Sequence, residues 1–266
     1  MEKGLIARGV LAGAVAAIVA FLFARVFAEP AISRAITYED GRTAVAEAHG
    51  VHDHGVELFS RGVQANVGLF FGVLIFGVAM GALFAVVFCV VYGRVGNIEP
   101  GLFSTLLAAG AFVAVYLAPF VKYPPNPPAV GQADTIGART GWYLVMLSAS
   151  VVLAVGAVWL ARTLANRLGG WNSALLAAGV YLPAIGLVMF LLPTVDETPE
   201  PMRDASGAII YPGFSADVLY EFRLVSLGTL LLLWVTIGLI FATLARRLLS
   251  NSALHRQQRE DLLGDL

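Results

Sequence analysis

Charge is scarce in this sequence, and that scarcity sets its class. Only 13% of the 266 residues are Asp, Glu, Lys or Arg, while 58% are hydrophobic; soluble domains carry roughly 25% charged residues. A mean hydropathy of +0.79 points the same way. Cysteine is almost absent, and the single Cys89 reads as a small apolar packing residue with no partner for an internal disulfide. No G-x-x-x-x-G-K-S/T segment occurs, which excludes ATP hydrolysis at a P-loop. No HExxH occurs either, which argues against an intramembrane zinc protease. A net charge of −1 and a pI near 6.4 give no reason to expect nucleic acid. No acid, base and nucleophile converge in the sequence, so the chain is not read as an enzyme.

What the sequence does contain is long apolar runs. A helix of about 20 residues crosses a hydrocarbon core of ~30 Å. Six segments qualify: Leu5 to Phe23, Val67 to Tyr92, Leu102 to Val121, Trp142 to Ala161, Ser173 to Pro193 and Leu224 to Ala245. Arg8 is the only charged residue inside them. Barrel strands would be ~10-residue alternating stretches, and these runs are longer and apolar all round. The expected fold is therefore all-α, a polytopic integral membrane bundle of about six transmembrane helices arranged as three hairpins. Residues 1–249 form one transmembrane domain and 250–266 a polar cytoplasmic tail. The first run is read as a retained helix rather than a signal peptide, because it exceeds a usual signal core and Arg25 sits beside the only candidate cleavage site.

The connections alternate in kind. Two are short, at 93–101 and 162–172, and three are long, at 24–66, 122–141 and 194–223. Arginines in the short loops and tails place the short connections and both termini in the cytoplasm of a cell that carries the chain in its inner or plasma membrane. On that topology the outer face carries thirteen carboxylates against eight cations, an imbalance that would concentrate metal ions near a transporter mouth. A proline lies in or just after each outgoing span (Pro30, Pro119, Pro193), and an arginine precedes each returning one (Arg61, Arg139, Arg223). A LLAAG pentapeptide at 106–110 recurs at 175–179, a faint sign of pseudo-repetition. Glycines four apart, at Gly9 and Gly13, Gly68 and Gly72, and Gly77 and Gly81, suit close helix packing, within the chain or between copies in a homo-oligomer.

The first long connection holds HGVHDHGVE, residues 49–57, with three of the four histidines. Neutral imidazole is the commonest ligand for first-row transition metals, and three in six residues concentrate donors locally. His49, His52 and His54 are candidate metal ligands, with Glu47, Asp53 and Glu57 as possible oxygen donors. Flanking Gly50 and Gly55 favour a loop that wraps an ion transiently, since no closed Cys₂His₂ pattern exists. A helix starting after Gly55 would instead pair Glu57 with Arg61 at i, i+4, and a solvated loop is the bland alternative. The second long connection begins KYPPNPPAVG, residues 122–131. Its four prolines impose polyproline-like stiffness, and Asp134-Thr135 is placed to cap a following helix through Arg139.

Together these pieces resemble the CbtA family of predicted cobalt transporter subunits. The resemblance rests on Arg25-Val-Phe-Ala-Glu-Pro30 with Tyr38-Glu39, on Phe59-Ser60-Arg61 with Gln64, and on Lys122-Tyr-Pro-Pro-Asn-Pro-Pro-Ala-Val-Gly131 followed by Asp134-Thr135-Ile136 and Arg139-Thr140. It extends to about residue 245. It implies uptake of Co²⁺ for cobalamin synthesis, alongside a small single-span CbtB subunit carrying histidines; a histidine loop leaves Ni²⁺ or Zn²⁺ as other candidate cargoes. No permanent cofactor is expected. The family is usually described with five spans, whereas six runs are present here. The reading from a different class is a non-transporting membrane scaffold or metal-handling accessory.

Overall fold

The computed structural model describes residues 2–50, 60–94, 96, 98–131 and 135–264, and of 251–264 the backbone only. Six helices in it are long and apolar enough to cross a membrane. They are α1 (Glu2–Phe27), α3 (Arg61–Val91), α4 (Pro100–Lys122), α5 (Ile136–Leu168), α6 (Gly170–Leu191) and α7 (Ala216–Gly264), the last apolar over Ala216–Ser250. This is the expected polytopic helical bundle. The only strands among the described residues form a small antiparallel hairpin, β1 (Met202–Arg203) and β2 (Ile209–Tyr211).

Two connections and the tail carry helix that the apolar runs alone do not mark. Residues 24–66 are not one loop, because Glu29–Ala48 forms a further helix, α2. Proline in its first turn and Glu29 at its N-terminus suit a helix start. Its buried face is only Glu29, Ala31 and Ala35, too small to register as an apolar stripe in the sequence. The connection expected at 162–172 shrinks to Gly169 between α5 and α6. Polar Arg162, Asn166 and Arg167 continue the helix, and Gly169 stops it at φ +79°, where a side chain would be strained. The tail, finally, continues α7 as helix through residue 264.

The described chain divides into two compact units, and α1, α3, α4 and α7 contribute to both. The first comprises 1–22, 67–112 and 230–266. In it α1 crosses α3 backbone to backbone: a Cβ placed on Gly81 would lie 2.7 Å from the Gly13 Cα, and one on Gly77 2.7 Å from the Ala17 Cβ. Such contacts tolerate nothing larger than hydrogen, so these small residues build the bundle from within. Gly72, in contrast, faces nothing within 4 Å among the described residues. Beside the crossing, Phe88 packs on Tyr92, Phe103 and Phe241. Ser104, fully buried, donates to the Gly238 carbonyl at 2.9 Å, satisfying its hydroxyl without water.

The second unit, 23–66 and 113–229, contains all three long connections. One core joins Ala118, Tyr123, Met146 and Ile185, with the Ser150 and Tyr181 hydroxyls hydrogen-bonded at 2.9 Å alongside. Met146 is fully buried there, a packing residue as its type suggests. A second core packs Ala35 of α2 with Val130, Phe214, Val218 and Leu219. The β-hairpin is clasped to α2 by two phenols: Tyr38 donates to the Pro212 carbonyl and Tyr211 to the Tyr38 carbonyl, each at 3.0 Å. In α4 the turn Phe112–Leu117 widens to a π-helix just before Pro119, whose missing N–H would orphan a carbonyl in a regular helix.

Candidate functional site

The functional geometry follows from three arginines of the returning spans, Arg61 and Arg139 in the first turn of their helices and Arg223 two turns into α7. A cation in the first turn of a helix opposes the macrodipole, so it needs a counter-charge. Arg61, the first residue of α3, finds one in Glu29 of α2, whose side chain is only 10% exposed. Close by, Arg25 donates through Nε to Asn66 Oδ1 at 2.9 Å, while the Asn66 amide donates to the Gly62 carbonyl at 2.9 Å.

Arg139, in the first turn of α5, finds its counter-charge in Glu197, which is 1% exposed at the side chain. Arg139 Nη1 donates to Glu197 Oε2 at 2.8 Å and Nη2 to the Pro124 carbonyl at 2.8 Å. The Thr135 hydroxyl donates to Glu197 Oε1, and Asn126 Nδ2 approaches Oε2 at 3.4 Å. Thr135 therefore serves the carboxylate and does not cap α5 through its side chain. Asn126 accepts in turn from Arg223 Nη2 at 2.9 Å. The buried Arg223 Nε has no hydrogen-bond partner among the described residues.

This network pins the proline segment 122–130 to the segment 193–198. Tyr123 donates to the Pro193 carbonyl at 2.7 Å, and burial raises its phenol above the ordinary value. Asp196, beside Glu197, is held below the usual carboxylate value first by the Thr198 N–H, which donates to it at 3.1 Å, with Arg223 a weaker contributor. A hollow of about 350 Å³ lies against the pinned segment, lined by Tyr116, Tyr123, Tyr143, Pro125 and Arg139 among others.

The metal-ligand candidates are distributed differently. His49 caps the C-terminus of α2 and is exposed, as is Glu47. Its Nδ1 lies 2.8 Å from the Val45 carbonyl oxygen. A carbonyl only accepts, so Nδ1 carries the hydrogen, and the neutral ring keeps its lone pair on Nε2. Nε2 has no partner among the described residues. This arrangement, with the far ring nitrogen tied to a carbonyl, is the one metal-binding histidines use. His52, Asp53, His54 and Glu57 lie outside the described residues. Among the described residues no three His, Cys, Asp or Glu side chains come together to hold a metal ion. Arg61 pairs with Glu29, and the pair expected between Arg61 and Glu57 lies outside the described residues.

Glu197 is the residue that sequence reasoning missed, since TVDETPE reads as an ordinary acidic loop. A signal was present nonetheless. Two arginines in the first turns of apolar helices, Arg61 and Arg139, call for two acceptors, and the sequence offers few near the membrane boundary.

Six long apolar helices around paired charges confined to their ends define a multi-pass helical membrane protein. The family described as "Probable cobalt transporter subunit (CbtA)" matches residues 2–246, and the chain belongs to it. No curated protein and no solved structure matches the chain. Six of the residues that carried the resemblance fall within the two charge networks: Arg25, Glu29 and Arg61 in one, Asn126, Thr135 and Arg139 in the other.

Proposed function

We propose that this chain is the membrane subunit that takes up a divalent transition-metal cation, Co²⁺ destined for cobalamin synthesis, working with a small single-span CbtB-like subunit. The family match over residues 2–246 carries this reading. In it both termini are cytoplasmic, the membrane is the cell's inner or plasma membrane, and the three long connections face outward. His49, His52 and His54, with Glu47, Asp53 and Glu57 as oxygen donors, then receive the incoming ion. The exposed His49 supports that role, because its Nδ1 is tied to the Val45 carbonyl and Nε2 has no partner among the described residues.

Capture at such a loop does not select cobalt, since nitrogen and oxygen sites bind Ni²⁺ and Cu²⁺ more tightly. Selection belongs to the path or to the partner. The paired carboxylates Glu29 and Glu197 are neutralised by arginines, so they hold the mouth's shape rather than attract the ion.

The test is metal flux into liposomes containing the chain with and without the single-span partner, using Co²⁺, Ni²⁺ and Zn²⁺ separately. Uptake of Co²⁺ that falls when His49, His52 and His54 are all changed to Ala supports the capture role, and unchanged uptake removes it. A chain that binds Co²⁺ but moves none in either preparation is an accessory rather than a transporter subunit.

A further inference from the structure

Between the last turn of α1 and the first turn of α3 lies a recess of about 650 Å³ whose lining includes Arg25, Glu29, Ser33, Arg61, Gly62 and Asn66. We propose that it binds the phosphodiester headgroup of an anionic membrane phospholipid, independently of metal transport.

The charge balance comes first. Two guanidiniums face one carboxylate, leaving one net positive charge, which complements a phosphodiester and repels a metal dication. Arg25 commits Nε to Asn66, and Arg61 commits one Nη to Glu29. Among the described residues no partner takes the remaining guanidinium donors, and the Ser33 hydroxyl adds another on the same wall. Arginine's planar fork suits two phosphate oxygens at once.

Position comes second. Arg25 ends one span and Arg61 begins the next, so the recess sits at the depth where bilayer phosphates lie. Its rim is apolar and exposed: Val26 belongs to the lining, and Phe27 and Val63 adjoin it at 51% and 43% exposure. Such a surface has use for acyl chains, whereas a site for a free anion would not need it. Gly62 belongs to the lining, and a Cβ there would meet nothing within 4 Å among the described residues, so a larger side chain has room to occupy the recess.

The experiment purifies the full chain from bilayers of phosphatidylcholine doped with phosphatidylglycerol and reads retained lipid by native mass spectrometry. Phosphatidylglycerol is expected to remain on the wild type in preference to phosphatidylcholine. Arg25→Gln should weaken retention about tenfold, the loss of one charge-assisted contact. Gly62→Phe should do the same by filling the recess, and it leaves every charge in place. Thermal unfolding identifies a variant that fails to fold, in which case the other decides. Equal retention by wild type and both variants overturns the proposal. Inorganic phosphate binding to delipidated protein with the same dependence on Arg25, and no preference for phosphatidylglycerol, also overturns it by assigning the site to a free anion.

Discussion

Arg139 and Glu197 meet across 58 residues of sequence at 2.8 Å, the carboxylate almost wholly buried and the guanidinium about a quarter exposed. One residue near the start of a span thereby fixes a loop that follows a different span. Because Glu197 also takes the Thr135 hydroxyl and Asn126, its removal takes an acceptor from three donors together. Breaking a buried pair from one side costs about 3–5 kcal/mol. Glu197→Ala should therefore lower the unfolding midpoint in detergent sharply. Glu197→Gln, which keeps an acceptor for Arg139, should cost roughly half as much, in line with losing a charged hydrogen bond. Equal effects of the two substitutions would show that the ion pair is not what holds the proline segment.

The crossing of α1 and α3 gives a prediction by contrast. Gly13 and Gly81 have no room for a side chain, whereas Gly110 meets nothing within 4 Å among the described residues. Gly13→Leu or Gly81→Leu forces two backbones apart and should cost about 3 kcal/mol or more, the upper range for overpacking. Gly110→Ala in the middle of α4 should be neutral or add about 0.5–1 kcal/mol by reducing the unfolded chain's freedom. Thermal unfolding of the three variants in one detergent measures the difference.

These contrasts mark what was legible before the structure. The six spans were, because an uninterrupted apolar run has only one way to satisfy its backbone in lipid. The arginines before the returning spans were visible too, but their partners were not. Glu29 lies 32 residues from Arg61 and Glu197 lies 58 from Arg139, and no local period encodes such pairings. Helix α2 was hidden for a different reason. It packs through alanines and pairs Arg34 with Glu221 of α7, so its stability comes from tertiary contacts its own sequence does not announce. Of the candidate ligands, His49 and Glu47 are placed in the structure on the end of α2, and the histidine's tautomer could be read only from its neighbour Val45.

That tautomer makes a spectroscopic prediction. With Nδ1 donating to Val45, the neutral ring of His49 should bind a metal through Nε2. Titrating the detergent-solubilised chain with Zn²⁺ should shift the His49 Nε2 nitrogen resonance strongly and leave the Nδ1–H signal in place. His49→Ala should weaken the overall association about tenfold if one ligand of the set is lost, a 1.4 kcal/mol effect. Binding that shifts Nδ1 instead, or that ignores the substitution, would contradict the ligand role.

Glu99 supplies the prediction in pH. Its side chain accepts from the Leu102 N–H at 2.9 Å, capping α4, and from Arg246 Nη2 at 2.9 Å, with Arg246 Nε 2.6 Å from its other oxygen. The backbone N–H of Leu102 is the main reason that the carboxyl is held below its ordinary value of 4.5, and the Arg246 contacts add to it. A carboxyl whose folded value is depressed stabilises the fold fully above the unfolded value and loses that contribution as pH falls through the folded one. Wild type should therefore unfold at a higher temperature than Glu99→Gln near neutral pH. The gap should narrow as pH drops below 4.5 and close in stronger acid. Added salt should shrink the Arg246 share, since both side chains are about half exposed, and leave the helix cap largely intact. Melting curves of the two proteins across pH and ionic strength separate the cap from the ion pair. A gap that widens in acid would mean that the carboxylate is not what Glu99 contributes to the fold.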